Sequence, residues 1–371
     1  MSKKITDKLK KLFSPFFIVS LCLIVFGFAV RITASHWTAF ADLWQSRIAS
    51  VPRALLAYLT NVFPFSIAES IILLSPLVIA VLIYTASKRS SDSWTATFRY
   101  SFNLLAAAGV LYSLLLINFS AGYYTTPLDK RIGADRQNVS AEELCDTAEM
   151  LIDGVRDSYG SVDFIYGEGS VMPYDLKTLN KKLNEAYKKA HEKYPFLSDF
   201  YSNPKPVALS EPWTYTHIAG VYTFFTGEAN ININFPDYTL PYTVAHEMAH
   251  QRGISREDEA NFVAFLVCIE SDDDYIRYSA YSNAFEYVAS SLYSADSDMY
   301  KQLYRSKVPT QLKNEMTAYN EFFEKYRENK VANVSEKVND TFLKVHDQKE
   351  GTRSYGLVVD LLVAYYKNIN K

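Results

Sequence analysis

His246 and His250 stand four residues apart with Glu247 beside the first, in the run His246-Glu247-Met248-Ala249-His250. On a helix that spacing puts both imidazoles on one face, where they can grip one metal ion. The intervening glutamate is placed to hold an attacking water and take its proton. The chemistry expected of such a set is zinc-assisted hydrolysis. With six histidines in the chain, coincidence is a poor account of the pattern. Two histidines leave a catalytic zinc one protein ligand short. Glu257 and Glu259 can both reach it if the chain folds back after Gly253. Glu257 is the preferred ligand, with Asn261 one helical turn later as its partner. Either glutamate would also serve as favourable charge at a helix start. His217, Tyr281 and Tyr355 are candidates for a donor to a developing oxyanion, and the sequence does not choose among them.

The elements that must position these residues follow from periodicity. Pro241 suits the first turn of the metal-bearing helix, and Gly253 its end. Upstream, Ala229, Ile231, Ile233 and Phe235 alternate with Asn230, Asn232 and Asn234, a strand pattern. Thr226-Gly227 then turns a hairpin from Tyr222–Phe225 to Ala229–Asn234. The second strand is expected at a sheet edge, where a peptide could add, or as a solvated ribbon. Ser255, with Asp258, is expected to cap the next helix, running to about Glu270. Ala141–Tyr159, Asp175–Tyr194 and most of Tyr275–Lys371 read as helical, the second with a solvated lysine face. The fold class expected is mainly α, with a helix-rich α+β domain that includes a small β-hairpin.

Three apolar runs precede that domain. Leu12–Val30, Ser70–Ser87 and Tyr100–Leu128 predict spans at about 13–33, 67–87 and 102–122. A cleaved signal peptide is the other reading of the first. Five lysines before span one, and Lys88, Arg89 and Arg99 between spans two and three, put the N-terminus in the cytoplasm. Arg47 and Arg53 in the intervening loop pull the other way without reversing the assignment. Trp37–Leu59 in that loop reads as an amphipathic helix on the outer surface. The expected organisation is a membrane domain over 1–123 and an extracytoplasmic domain over 124–371.

Charge is unevenly spread, +7 over residues 1–123 and −10 over the rest. An acidic domain without a basic tract argues against nucleic acid as a partner. Cys22, Cys145 and Cys268 form no CxxC pair. Cys145 and Cys268 are read either as a disulfide or as two buried thiols.

The stretch His246–Asn261 resembles zinc metallopeptidases of the gluzincin type, in which HExxH is followed by a glutamate in an ExxxD or ExxxN setting. Membrane CaaX-type and heat-shock proteases and ImmA/IrrE-like peptidases carry similar Glu-x-Glu-Ala-Asn/Asp segments. The resemblance implies a zincin-like fold, Glu257 as ligand and Asn261 at the Asp/Asn position. Two features depart from it: only six residues separate His250 from Glu257, and Gly253 instead resembles the metzincin turn. The choice between Glu257 and Glu259 therefore stays open. Most of the chain is similar to an uncharacterised family of bacterial membrane proteins with N-terminal spans and an HExxHQxG…ExEANF segment, here His246–Gly253 and Glu257–Phe262.

The functional expectation is a multi-pass membrane zinc metallopeptidase. Zn2+ is bound by His246, His250 and Glu257, Glu247 is the general base, and the substrate is a peptide or protein near the bilayer. The competing expectations are a membrane receptor or scaffold with structural or absent zinc, and a zinc amidase acting on cell-wall material.

Overall fold

The computed structural model describes residues 12–369, apart from 91–92, 135, 166–168, 328, 347, 349–350 and 352–355. Helices dominate it. Pro15–His36 (α1) starts at Ser14, whose hydroxyl accepts from Phe17 N–H at 3.1 Å. Thr38–Leu43 (α2), a π-helical turn at Trp44–Ile48 and Ser50–Asn61 (α3) follow. Ile67–Ser90 (α4) and Trp94–Asn118 (α5) complete the N-terminal part. Three helical stretches, Pro15–His36, Ile67–Arg89 and Trp94–Tyr124, are long and apolar enough to cross a membrane. The third begins well before the expected 102, because Ser93 caps it and the helix carries Arg99. The lysine-rich start lies outside the described residues.

The longer of the remaining helices are Ala141–Ser158 (α6) and Leu176–Lys193 (α7), then Leu240–Gln251 (α8), Glu257–Ile269 (α9), Asp274–Ala295 (α10), Ser297–Ser306 (α11), Thr310–Glu324 (α12), Lys330–Val345 (α13) and Val358–Ile369 (α14). Ser140 and Glu143 make a full capping box on α6. Leu151, Phe262, Phe265, Phe285 and Leu361 bring α6, α9, α10 and α14 into one core. The lysine face of α7 is only partly solvated. Lys182, Lys189 and Lys193 pair with Asp273, Asp272 and Glu270 at 3.0, 2.5 and 2.7 Å.

One small sheet stands beside α8. Lys205–Pro206 (β1), Gly220–Thr223 (β2) and Glu228–Ile231 (β3) lie in the order β1-β3-β2, with β1 parallel and β2 antiparallel to β3. The expected hairpin is present, but its second strand is not an edge. The two-residue β1, too short to leave a periodic signal, covers β3, and the edges belong to β1 and β2. Nor are the asparagines solvated. Asn230 and Asn232 are buried. Asn230 Nδ2 donates to Val221 O at 3.1 Å, and its Oδ1 accepts from Ser66 Oγ at 2.6 Å.

One further expectation is corrected and one open alternative decided. Ser255 does not cap α9; Arg256 occupies the N-cap position. Ser255 Oγ instead donates to Phe119 O at 2.9 Å, and Asp258 pairs with Arg136 at 2.8 Å, because the end of α5 packs against this turn. Cys22, Cys145 and Cys268 are all free thiols, so no disulfide joins Cys145 to Cys268.

Candidate metal centre

α8 is buried on nearly every side. Val244, Ala245, Met248 and Ala249 face the core, which leaves His246, Glu247 and His250 toward a cleft. Tyr187 donates to Ala245 O at 2.6 Å and Tyr242 to Asn261 O at 2.7 Å, tying α8 to α7 and α9. The helix ends at Gln251, and Gly253 adopts φ +97°, a conformation that favours glycine. That turn brings Ile254 O back to His250 Nδ1 at 2.7 Å. The imidazole donates from Nδ1, so the Nε2 lone pair is presented to the site. The same turn swings the first residue of α9 over the histidines.

Glu257 Oε2 lies 3.3 Å from both His246 Nε2 and His250 Nε2. The ligating atoms of the three residues all lie within 4.8 Å of one another. A tetrahedral ion with bonds of about 2.0–2.1 Å holds its ligands about 3.3 Å apart, so the donor set has the chemistry and the spacing for zinc. Among the described residues no other group of three or more His, Cys, Asp and Glu converges in this way. Glu259 is taken elsewhere: its carboxylate accepts from Leu128 N–H at 2.9 Å and pairs with Arg256 at 2.7 Å. The geometry therefore gathers Glu257, not Glu259, beside the histidines.

Electrostatics follow the geometry. Burial pulls the His250 pKa down, but the adjacent Glu257 carboxylate more than reverses this and holds it at about 9. Burial pushes Glu257 up, and the two histidines overcome that and hold it well below the usual carboxylate range. Burial raises Glu247, against the lowering effect of the two imidazoles. Glu247 Oε2 is buried and has no hydrogen-bond partner, as is His246 Nδ1.

The cleft has a volume of about 1230 Å³. β2 forms one wall, and it comes so close that a Cβ on Gly220 would sit 2.6 Å from Glu247 Cγ. Of the candidate oxyanion donors, His217 lines the cleft, with Nε2 2.7 Å from Tyr326 O and a φ of +59°. Tyr281 packs edge-on against Phe265 in the helical core, away from the cleft. Tyr355 lies outside the described residues. Asn261 also lines the cleft, without a hydrogen bond to Glu257; its Nδ2 is buried and unpartnered.

Sequence reasoning missed four contributors. Gly220 and Tyr287 line the cleft, and Tyr287 is close enough to Glu257 to feel its charge. Phe119, at the end of α5, packs edge-on against His250 at 5.9 Å. Arg53 in α3, fully buried, donates to Asn118 O at 2.7 Å and to Gln45 O at 2.8 Å, beneath the Gly253 turn. No local pattern marks any of them, since each acts through a partner distant in sequence.

No curated protein and no solved structure matches the chain. A family described as a protein of unknown function, DUF3810, matches residues 45–363, from the π-helical turn ahead of α3 into α14 and across the whole candidate metal centre. The chain belongs to the DUF3810 family.

Proposed function

We propose that this protein is a membrane-anchored zinc metallopeptidase with a zincin-like catalytic unit of gluzincin type, lying outside the cytoplasm. The observation that carries the reading is the unpartnered, buried Glu247 Oε2 beside the converged His246, His250 and Glu257, open to a cleft. A structural zinc site has no use for a second carboxylate with an uncommitted oxygen. Zinc held by the three ligands would supply Lewis-acid activation of a water and of the scissile carbonyl.

This chain's own residues supply the rest. Glu247 accepts the proton of the attacking water and delivers it to the leaving amine as the peptide C–N bond breaks. Its raised pKa suits both halves of that task. His250 is held in one orientation by Ile254 O. The free edge of β2 offers backbone groups to an extended peptide. Tyr287, which lines the cleft near Glu257, is the side chain assigned to donate toward the developing oxyanion, since the His217 Nε2 proton is taken by Tyr326 O.

Glu247→Gln in the full-length protein tests the proposal. The variant is expected to retain zinc and to lose cleavage of any peptide the native protein cuts. Undiminished hydrolysis would remove Glu247 from the mechanism.

A further inference from the structure

α13 carries an apolar stripe that the other described residues leave exposed. Val331, Val334, Val338, Phe342 and Val345 recur at three- and four-residue steps, and all five are exposed, Val334 by 61% and Val338 by 63%. Ala332 and Leu343, on a neighbouring face, are buried and hold the helix to the protein. Lys330, Lys337 and Lys344 recur every seven residues along the flank of the stripe. An apolar stripe edged by lysines is the pattern of a helix lying in a bilayer interface, with the lysine stems reaching back to the headgroups.

The position of α13 identifies what covers the stripe. Its last residue is fixed to the first candidate span, where Arg31 Nη2 donates to Val345 O at 2.6 Å. The next residue, His346, stacks on Tyr123 at the end of the third, with ring centroids 5.7 Å apart. The C-terminal end of α13 therefore lies at the level at which these spans end. The same helix borders the cleft. Val338 and Phe342 line it together with Leu115 and Phe119 of α5.

We propose that α13 lies in the headgroup region of the bilayer, with its valine stripe in the acyl boundary, and forms the membrane-side lip of the cleft. The occupant of the stripe is lipid. The proposal stands on the surface alone and does not depend on hydrolysis.

The test uses the full-length protein in phosphatidylcholine–phosphatidylglycerol nanodiscs, in a Cys22→Ser, Cys145→Ser background. An environment-sensitive fluorophore is attached at Val334→Cys, Val338→Cys or Lys337→Cys. Leu73→Cys, exposed within the second candidate span, sets the scale for contact with lipid. Labels at 334 and 338 are expected to be quenched by nitroxide-bearing lipid at least half as strongly as the label at 73. They should be several-fold less accessible to iodide than the label at 337. Iodide quenching at 334 and 338 equal to that at 337 would overturn the proposal. Blue-shifted labels at both sites that respond to neither quencher would overturn it as well, since they would place a protein, such as a second copy of this chain, on the stripe.

Discussion

Binding of zinc to this site at neutral pH should release close to one proton, and Glu257 should be the reason. Without metal, the Glu257 carboxylate holds the His250 imidazolium at a pKa of about 9, against an ordinary 6.5. At pH 7 about 0.99 of His250 then carries a proton that zinc must displace. Proton competition lowers the apparent affinity about 100-fold at pH 7 and about 11-fold at pH 8, so affinity rises nearly tenfold over that unit. Glu257→Gln removes the charge that does most to raise His250; burial, which lowers it, is then opposed only by Glu247 and the bond to Ile254 O. Protonation at pH 7 then falls, and affinity depends less steeply on pH. The variant also loses a ligand and binds zinc more weakly. Calorimetric zinc titrations in buffers of different ionisation enthalpy count the released protons directly. If native protein and Glu257→Gln release the same number and share one pH slope, the Glu257–His250 pairing does not govern the site.

Stability of the metal-free protein should depend on pH through the same pair. His250 has a raised folded pKa, so its contribution is full below 6.5 and is lost as pH climbs toward 9. The Tm of the metal-free form should therefore fall over that window, and saturating zinc should abolish the trend. Gly220→Ala would push a methyl against Glu247; zinc content should hold while hydrolysis drops by an order of magnitude or more, and full activity would refute the close approach. Arg53→Met leaves Gln45 O, Asn118 O and Gln45 Oε1 without their donor, and should cost roughly 3 kcal/mol or more, read by denaturant unfolding. In native protein a thiol reagent should modify half-buried Cys145 and spare buried Cys268 until unfolding. A fragment of residues 124–371 should unfold at lower temperature than the full chain and bind zinc more weakly, and equal values would refute a shared interface.

The part of the site that was legible from sequence is the part that is local. His246, Glu247 and His250 share a helical face by spacing alone, and Gly253 announces its turn because no other residue adopts its φ as readily. The third ligand was ambiguous because Glu257 and Glu259 lie two residues apart in one helical turn. What separates them is a long-range partner, the Leu128 N–H that claims Glu259. The edge strand was misassigned for the same reason: β1 pairs with β3 from a two-residue segment that carries no period. Ser255 and Asp258 made a sound local cap, but tertiary partners, Phe119 O and Arg136, took both side chains. Local rules located the candidate ligands, and non-local contacts decided which of Glu257 and Glu259 stands beside the histidines.

Further long-range contacts to this region come from the N-terminal helices, which bears on how the protein is built. Glu228, next to the hairpin turn, caps α4 by accepting from Ile67 and Ala68 N–H at 3.0 Å each. Glu69, in the first turn of α4, accepts from Ala208 and Leu209 N–H at 2.9 Å each. Arg256 donates to Tyr123 O, and Ser255 to Phe119 O. At about 0.5–1.5 kcal/mol for each hydrogen bond, these six connections together contribute on the order of 3–9 kcal/mol. That is comparable with the 5–15 kcal/mol that holds a typical domain together. The anchoring helices are thus a structural wall of the metal centre as well as a tether. A boundary near residue 124, natural from composition, cuts through the packing that sets His250 and the Gly253 turn. The family match, which begins at residue 45 ahead of α3, runs across that boundary as the contacts do.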